Sequence, residues 1–155
     1  MKKTISILGL FLVTMLTYAG NSRPETTTRT AQNQVEGKVI VMNKEMFIEQ
    51  VFDYRNSKEW KYKGNKPAII DLYADWCGPC RRIAPIMKEL AKEYAGKILI
   101  YKVNVDKEKE LAALFNVTSI PLLVFIPQEG TPQLFPGAAD KDTYKKAIDE
   151  FLLKQ

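Results

Sequence analysis

The stretch Asp75-Trp76-Cys77-Gly78-Pro79-Cys80 holds both cysteines of a 155-residue chain that contains no histidine. It follows Pro67 to Tyr73 (PAIIDLY), apolar except for Asp71. A continuous run of this length reads as a strand buried on both faces. After the cysteines, Ile83, Ile86, Met87, Leu90, Ala91 and Tyr94 fall at helical spacing. The motif therefore joins the end of a buried strand to the start of a helix. Gly96 ends that helix, and Pro85 inside it predicts a kink.

Two thiols three positions apart have three uses. A zinc site takes four ligands, and two thiolates with no further cysteine and no histidine do not supply them. A structural disulfide across so short a loop removes little entropy from the unfolded chain. A redox pair suits the surroundings. At the start of a helix, the Cys77 thiolate faces unpaired backbone N–H groups and the positive end of the helix dipole, which lowers its pKa. Gly78 and Pro79 make a tight turn, with φ fixed at the proline. Cys80 falls one helical turn on and is expected to lie beneath Cys77, less exposed. Cys77 is then the nucleophile that attacks a target disulfide. Cys80 is the resolving thiol that attacks Cys77 and frees the reduced target.

The rest of the chain extends the pattern. Lys38 to Met42 reads as a strand, and Asn43 caps a helix that buries Met46, Phe47, Val51 and Tyr54. Residues 56–66 are polar and read as a loop, from which Trp60 and Tyr62 pack back onto the domain. Ile98 to Val105 is a strand, and Lys107 to Phe115 is a short helix with Leu111, Leu114 and Phe115 inward. Leu122 to Ile126 and Gln133 to Phe135 are strands, the second marked as an edge by Pro136. Asp140 caps a last helix to Leu153 that carries Tyr144, Ala147, Ile148, Phe151 and Leu152 on one face. The order β-α-β-α-β-α-β-β-α predicts an α/β fold: a central mixed β-sheet flanked by helices on both faces.

At this point the sequence resembles the thioredoxin family. Residues 69–80 (IIDLYADWCGPC) and 83–86 (IAPI) carry the likeness, which extends over the presumed domain, residues 36–155. The resemblance implies a thioredoxin fold and further site residues. Asp71, six positions before Cys77, stands where the family has an acidic group that accepts the Cys80 proton. Lys102 stands where the family has that group's charge partner. Ile120-Pro121 matches the family's cis-proline, with the Ile120 backbone free to pair with an extended substrate. Gly137 closes the substrate groove, and Trp76 forms its wall, with Gly78 and Pro79 beside it. Each also has a plainer reading: Asp71 as a satisfied buried polar group, Pro121 as an ordinary turn, Trp76 as packing. Ser119 and Leu122 depart from the family's usual glycine and threonine, and residues 56–66 are longer than its usual connection.

The N-terminus reads as a targeting segment. Lys2 and Lys3 precede an apolar run from Ile5 to Leu16, and Thr17-Tyr18-Ala19 offers small residues where a signal peptidase reads. The run is short of the about 20 residues that span a bilayer. Residues 1–19 are expected to be cleaved and 20–35 to form a flexible polar leader, leaving the domain periplasmic or otherwise extracytoplasmic. Setting Lys2 and Lys3 aside leaves 21 basic against 18 acidic residues, too small a surplus for a nucleic-acid role.

The expected function is a protein-disulfide reductase that acts on disulfide-containing proteins. It needs no cofactor beyond its own Cys77–Cys80 disulfide and no metal. It draws electrons from a membrane-embedded thiol donor and works as a monomer. Gly-Pro between the cysteines is the thioredoxin pair and favours the reducing end of the family. The alternatives are a disulfide oxidase or isomerase, a reductase dedicated to cytochrome c maturation, and a binding module in which the cysteines are incidental.

Overall fold

In the computed structural model, residues 36–154 are described. The expected signal segment and leader, residues 1–35, lie outside the described residues, as does Gln155. Five strands form one sheet in the order β1-β3-β2-β4-β5: β1 Val39–Val41, β2 Ala68–Tyr73, β3 Leu99–Asn104, β4 Leu122–Ile126 and β5 Gln133–Pro136. The first three are mutually parallel, while β4 runs antiparallel to β2 and β5 antiparallel to β4. The helices are α1 Lys44–Gln50, α2 Gly78–Glu93, α3 Lys109–Leu114 and α4 Lys141–Ala147, the last continuing as a π-helical turn over Ile148–Leu152.

Alternation along the central strands builds a core on each face. Ile70, Leu72, Tyr101, Val103, Leu122, Val124 and Ile126 join Phe47 and Leu111, the α1 and α3 side. Ile69, Ile100, Leu123 and Phe125 join Ile83, Met87, Leu90, Tyr144 and Ile148, the α2 and α4 side. The mixed sheet with helices on both faces is the predicted architecture. Trp60 and Tyr62 pack against the α1 side, so the polar 56–66 loop roofs that core with its two aromatic residues.

The expected caps form. Asn43 accepts from the Met46 N–H at 2.9 Å, and Asp140 from Thr143 at 2.8 Å. The Lys38–Met42 run yields a shorter strand: Val39 to Val41 pair with β3, and Met42 adds one further hydrogen bond, from its N–H to the Lys102 carbonyl, before the Asn43 cap. Leu114 departs from the expectation. It ends α3 on the solvent side and is 38% exposed, while Leu111 is fully buried. Phe115, at the C-cap, packs against the core beside Leu111, and Leu114 is left at the solvent edge. Pro85 is held within α2, which continues on both sides of it to Glu93.

Candidate active site

Cys77 is the N-cap residue of α2, and its sulfur accepts the Cys80 backbone N–H at 3.1 Å. The β2–α2 turn brings this about: Pro79 occupies the first helical turn, where its missing N–H leaves nothing unpaired. The two sulfurs are joined as a disulfide. They pack with Ala74 in a small cluster bordered by Tyr73, Val105 and Ile120. The expected difference in exposure between the cysteines is absent. Cys77 is 3% exposed and Cys80 4%, because the cis-proline segment covers the first cysteine. What distinguishes them is contact: the Cys77 sulfur accepts the Cys80 N–H and lies 3.8 Å from the Ile120 carbonyl oxygen.

The Ile120–Pro121 peptide is cis. Pro121 precedes β4, and its carbonyl accepts the Gly137 N–H at 2.8 Å. Gly137 follows β5 at φ 85°, a left-handed conformation that glycine adopts without a Cβ clash. The β4–β5 register, with Leu122 opposite Pro136, thus brings Gly137 beside Pro121 although 16 positions separate them in sequence. Trp76 is 68% exposed at the rim of the cysteine motif, and Gly78 and Pro79 are half-buried.

Asp71 lies in the middle of β2, on the side covered by α2, and is 5% exposed. Its Oδ1 is buried without a hydrogen-bond partner. Burial disfavours the carboxylate and pushes its pKa up to about 7, against an opposing pull from the Lys102 charge. Lys102 is the β3 residue registered opposite Asp71. Among the described residues no ion pair joins the two. The Lys102 ammonium stands over the Tyr73 ring, 5.4 Å from its centroid. Its charge therefore reaches Asp71 across space, and Tyr73 serves as its platform.

Three polar residues escaped the sequence reading. The Trp76 indole N–H donates to Asp106 Oδ2 at 2.9 Å, and the Asp106 N–H donates to Asn104 Oδ1 at 2.9 Å. Asn104 Nδ2 in turn donates to Asp75 Oδ2 at 3.2 Å. This chain ties the segment before Cys77 to the end of β3. Its only trace in the sequence is the Asn104-Val105-Asp106 spacing at the end of a strand.

Comparison with known proteins bears on this geometry. The family model for thioredoxin matches residues 38–150. The chain belongs to the thioredoxin family. A thioredoxin of Borreliella burgdorferi is 43% identical over 112 residues, covering 72% of this chain and 96% of that protein. A chloroplastic M-type thioredoxin of Pisum sativum is 36% identical over 119 residues, covering 76% of this chain and 69% of that one. For the corresponding protein of Spinacia oleracea the identity is 38% over 107 residues, and the chain spans 59% of its length. The crystal structure of chloroplastic thioredoxin z superposes with a TM-score of 0.62 at 22% identity, over 73% of this chain and 93% of that one, which shows the shared fold. The protein is a thioredoxin-like protein-disulfide oxidoreductase, and its redox group is its own Cys77–Cys80 disulfide.

Proposed function

We propose that this thioredoxin is a reductant of protein disulfides outside the cytoplasm. The observation that carries the chemistry is the placement of Asp71: a buried carboxyl with an unpartnered oxygen, on the side of the sheet covered by the helix that Cys77 caps. In the reduced protein the Cys77 thiolate attacks one sulfur of a target disulfide. One target thiolate leaves and takes up a proton. Asp71 takes the Cys80 proton through water, with the Lys102 charge favouring the ionised carboxyl. The Cys80 thiolate then attacks the Cys77 sulfur, which releases the second target thiol. Two electrons pass to the target and the Cys77–Cys80 disulfide is restored. The Ile120 backbone pairs with the extended target, and Trp76 and Gly137 bound the groove.

The reducing direction is supported by the Gly78-Pro79 dipeptide. The extracytoplasmic location is supported by the charged start, apolar run and small-residue site of the first 19 residues. In a compartment where disulfides persist, a reductant must be recharged. A membrane-embedded dithiol donor supplies the two electrons, and the protein works as a monomer. Expression of the full chain in an exporting bacterium tests the location. The expected result is an extracytoplasmic protein beginning at Gly20 by mass spectrometry. Retention of an intact chain in the cytoplasm contradicts it.

Trp76 offers a separate check on the groove. Because it is mostly exposed, Trp76→Ala should leave the melting temperature little changed. Loss of an aromatic contact at a protein interface costs about 1 kcal/mol or more, so KM for a protein substrate should rise about fivefold or more. Steady-state reduction of insulin, compared with reduction of a small disulfide, reads the difference. An unchanged KM for insulin removes Trp76 from the groove.

A further inference from the structure

A cavity of about 380 Å³ is bounded by the start of β1, by α2, and by Asp71 and Lys102 of the sheet. Its walls are of two kinds. Val39, Ala84 and Met87 supply apolar surface, and Lys38, Lys88, Lys92 and Lys102 supply four cationic side chains. The one acidic group lining it is Asp71, whose Oδ1 has no partner.

The lysines are left over by the way α2 divides its charges. Glu89 and Glu93 lie on the α4 side, where Glu89 pairs with Lys141 and Glu93 with both Lys141 and Lys145. Lys88 and Lys92 follow on the neighbouring stripe, one turn apart, and face the cavity. Glu36, close to Lys38 in sequence, pairs with Lys66. Among the described residues, Lys38, Lys88 and Lys92 therefore have no ion-pair partner. Cations without ion-pair partners around an apolar cavity suit an anion with an apolar body, and the buried Asp71 carboxyl at its wall can donate to that anion when protonated.

We propose that this cavity binds a small organic carboxylate with an apolar body, and that its occupancy is felt at the redox site through Asp71. The apolar body lies against Val39, Ala84 and Met87. The carboxylate meets the lysine rim and accepts a hydrogen bond from protonated Asp71, the form in which that side chain has a donor. The volume falls at the lower end of the range typical of small-molecule sites, about 300–1,000 Å³. Lys38 just before β1, Lys88 and Lys92 of α2 and Lys102 of β3 line the cavity with Asp71; the Lys102 charge acts on Asp71, and the Asp71 charge acts on the Tyr144 phenol of α4. A bound carboxylate adds a negative charge among them and holds the Asp71 proton in place. Ionisation of Asp71 then moves to higher pH and the resolving step slows. Binding stands independently of the proposed reductase function, whereas its effect on rate rests on Asp71 as the proton acceptor.

Titration of the oxidised full-length protein with octanoate, followed by amide chemical shifts, tests the site. Saturable shifts centred on Val39, Asp71 and Met87 are expected. Octanol, which lacks the charge, and inorganic phosphate, which lacks the apolar body, should bind about tenfold more weakly or less. The double variant Lys88→Glu/Lys92→Glu should lose about tenfold in octanoate affinity, which corresponds to about 1.4 kcal/mol. Its own pH midpoint for the insulin-reduction rate should lie above the parent's, because the two glutamates also place negative charge in the cavity beside Asp71, so the effect of octanoate is read as the change within each protein. Octanoate should also move the pH midpoint of that rate upward in the parent and not in the double variant. Equal binding of octanol, shifts centred elsewhere, or full octanoate affinity in the double variant would overturn the site. Binding at the cavity with an unmoved pH midpoint would overturn the coupling.

Discussion

Replacing Cys77 by serine should abolish disulfide reduction, while Cys80→Ser should leave a protein that captures its targets as mixed disulfides. The asymmetry follows from the helix start. Cys77 is the N-cap residue, with the Cys80 N–H aimed at its sulfur at 3.1 Å and the remaining helical N–H groups behind it. A serine hydroxyl there is too weak an acid to act as the nucleophile. With Cys80→Ser, Cys77 still attacks, but no second thiol releases the target. Incubation with oxidised insulin or an extract, followed by non-reducing electrophoresis and mass spectrometry, reads both outcomes. Turnover by Cys77→Ser within about tenfold of the parent, a span of about 1.4 kcal/mol in barrier height, would reverse the assigned roles. Failure of Cys80→Ser to trap any target would do the same.

Asp71→Asn should stabilise the oxidised protein and slow its catalysis. In the folded state burial raises the Asp71 pKa from 3.8 to about 7. A raised carboxyl pKa means that the folded state holds a proton the unfolded chain has already lost. Stability is therefore complete below about pH 4, declines as pH rises, and is lowest above about pH 7. One pKa unit is about 1.36 kcal/mol, so the ionised carboxylate costs at most about 4 kcal/mol at neutral pH and above. Asparagine carries no charge but keeps a polar atom in the same place, so a gain of about 2–3 kcal/mol is expected. Denaturant melts at pH 8 and pH 4 should show this gain at the higher pH and little of it at the lower. Equal gains at both would show that ionisation of Asp71 is not the cause. On the kinetic side, loss of a positioned proton acceptor costs about a hundredfold. The rate of Asp71→Asn should also lack the inflection near pH 7. A variant with the parent's pH profile would assign that inflection elsewhere.

Features of the site that a local stretch determines were legible in the sequence. Leu122–Ile126 is a strand with the expected ends because an unbroken apolar run after proline leaves no other choice of face. Cys77 at a helix start follows from an apolar strand, a Gly-Pro turn and helical spacing within 25 residues. Asp71 stood out because a single acidic residue interrupted a buried strand. Features that depend on register were not legible. Asp75, Asn104 and Asp106 form one hydrogen-bonded chain only because β2 and β3 run parallel with Tyr73 opposite Asn104. Lys102 meets the Tyr73 ring for the same reason, and nothing in either segment alone predicts it. The equal burial of the two cysteines comes from Ile120, 43 residues beyond Cys77. The lysine-lined cavity combines residues from β1, α2, β2 and β3, with its charges exposed by pairings on α4.

The reduction potential of the Cys77–Cys80 pair tests most directly whether this dithiol is a reductant. The purified protein would be equilibrated with dithiothreitol or glutathione redox buffers, and the reduced fraction read after acid quenching and thiol alkylation. Thioredoxin itself lies near about −270 mV, disulfide isomerases near about −180 mV and a dedicated disulfide oxidase near about −120 mV. A potential close to about −270 mV is the predicted result, and one at or above about −180 mV would contradict the reductase reading.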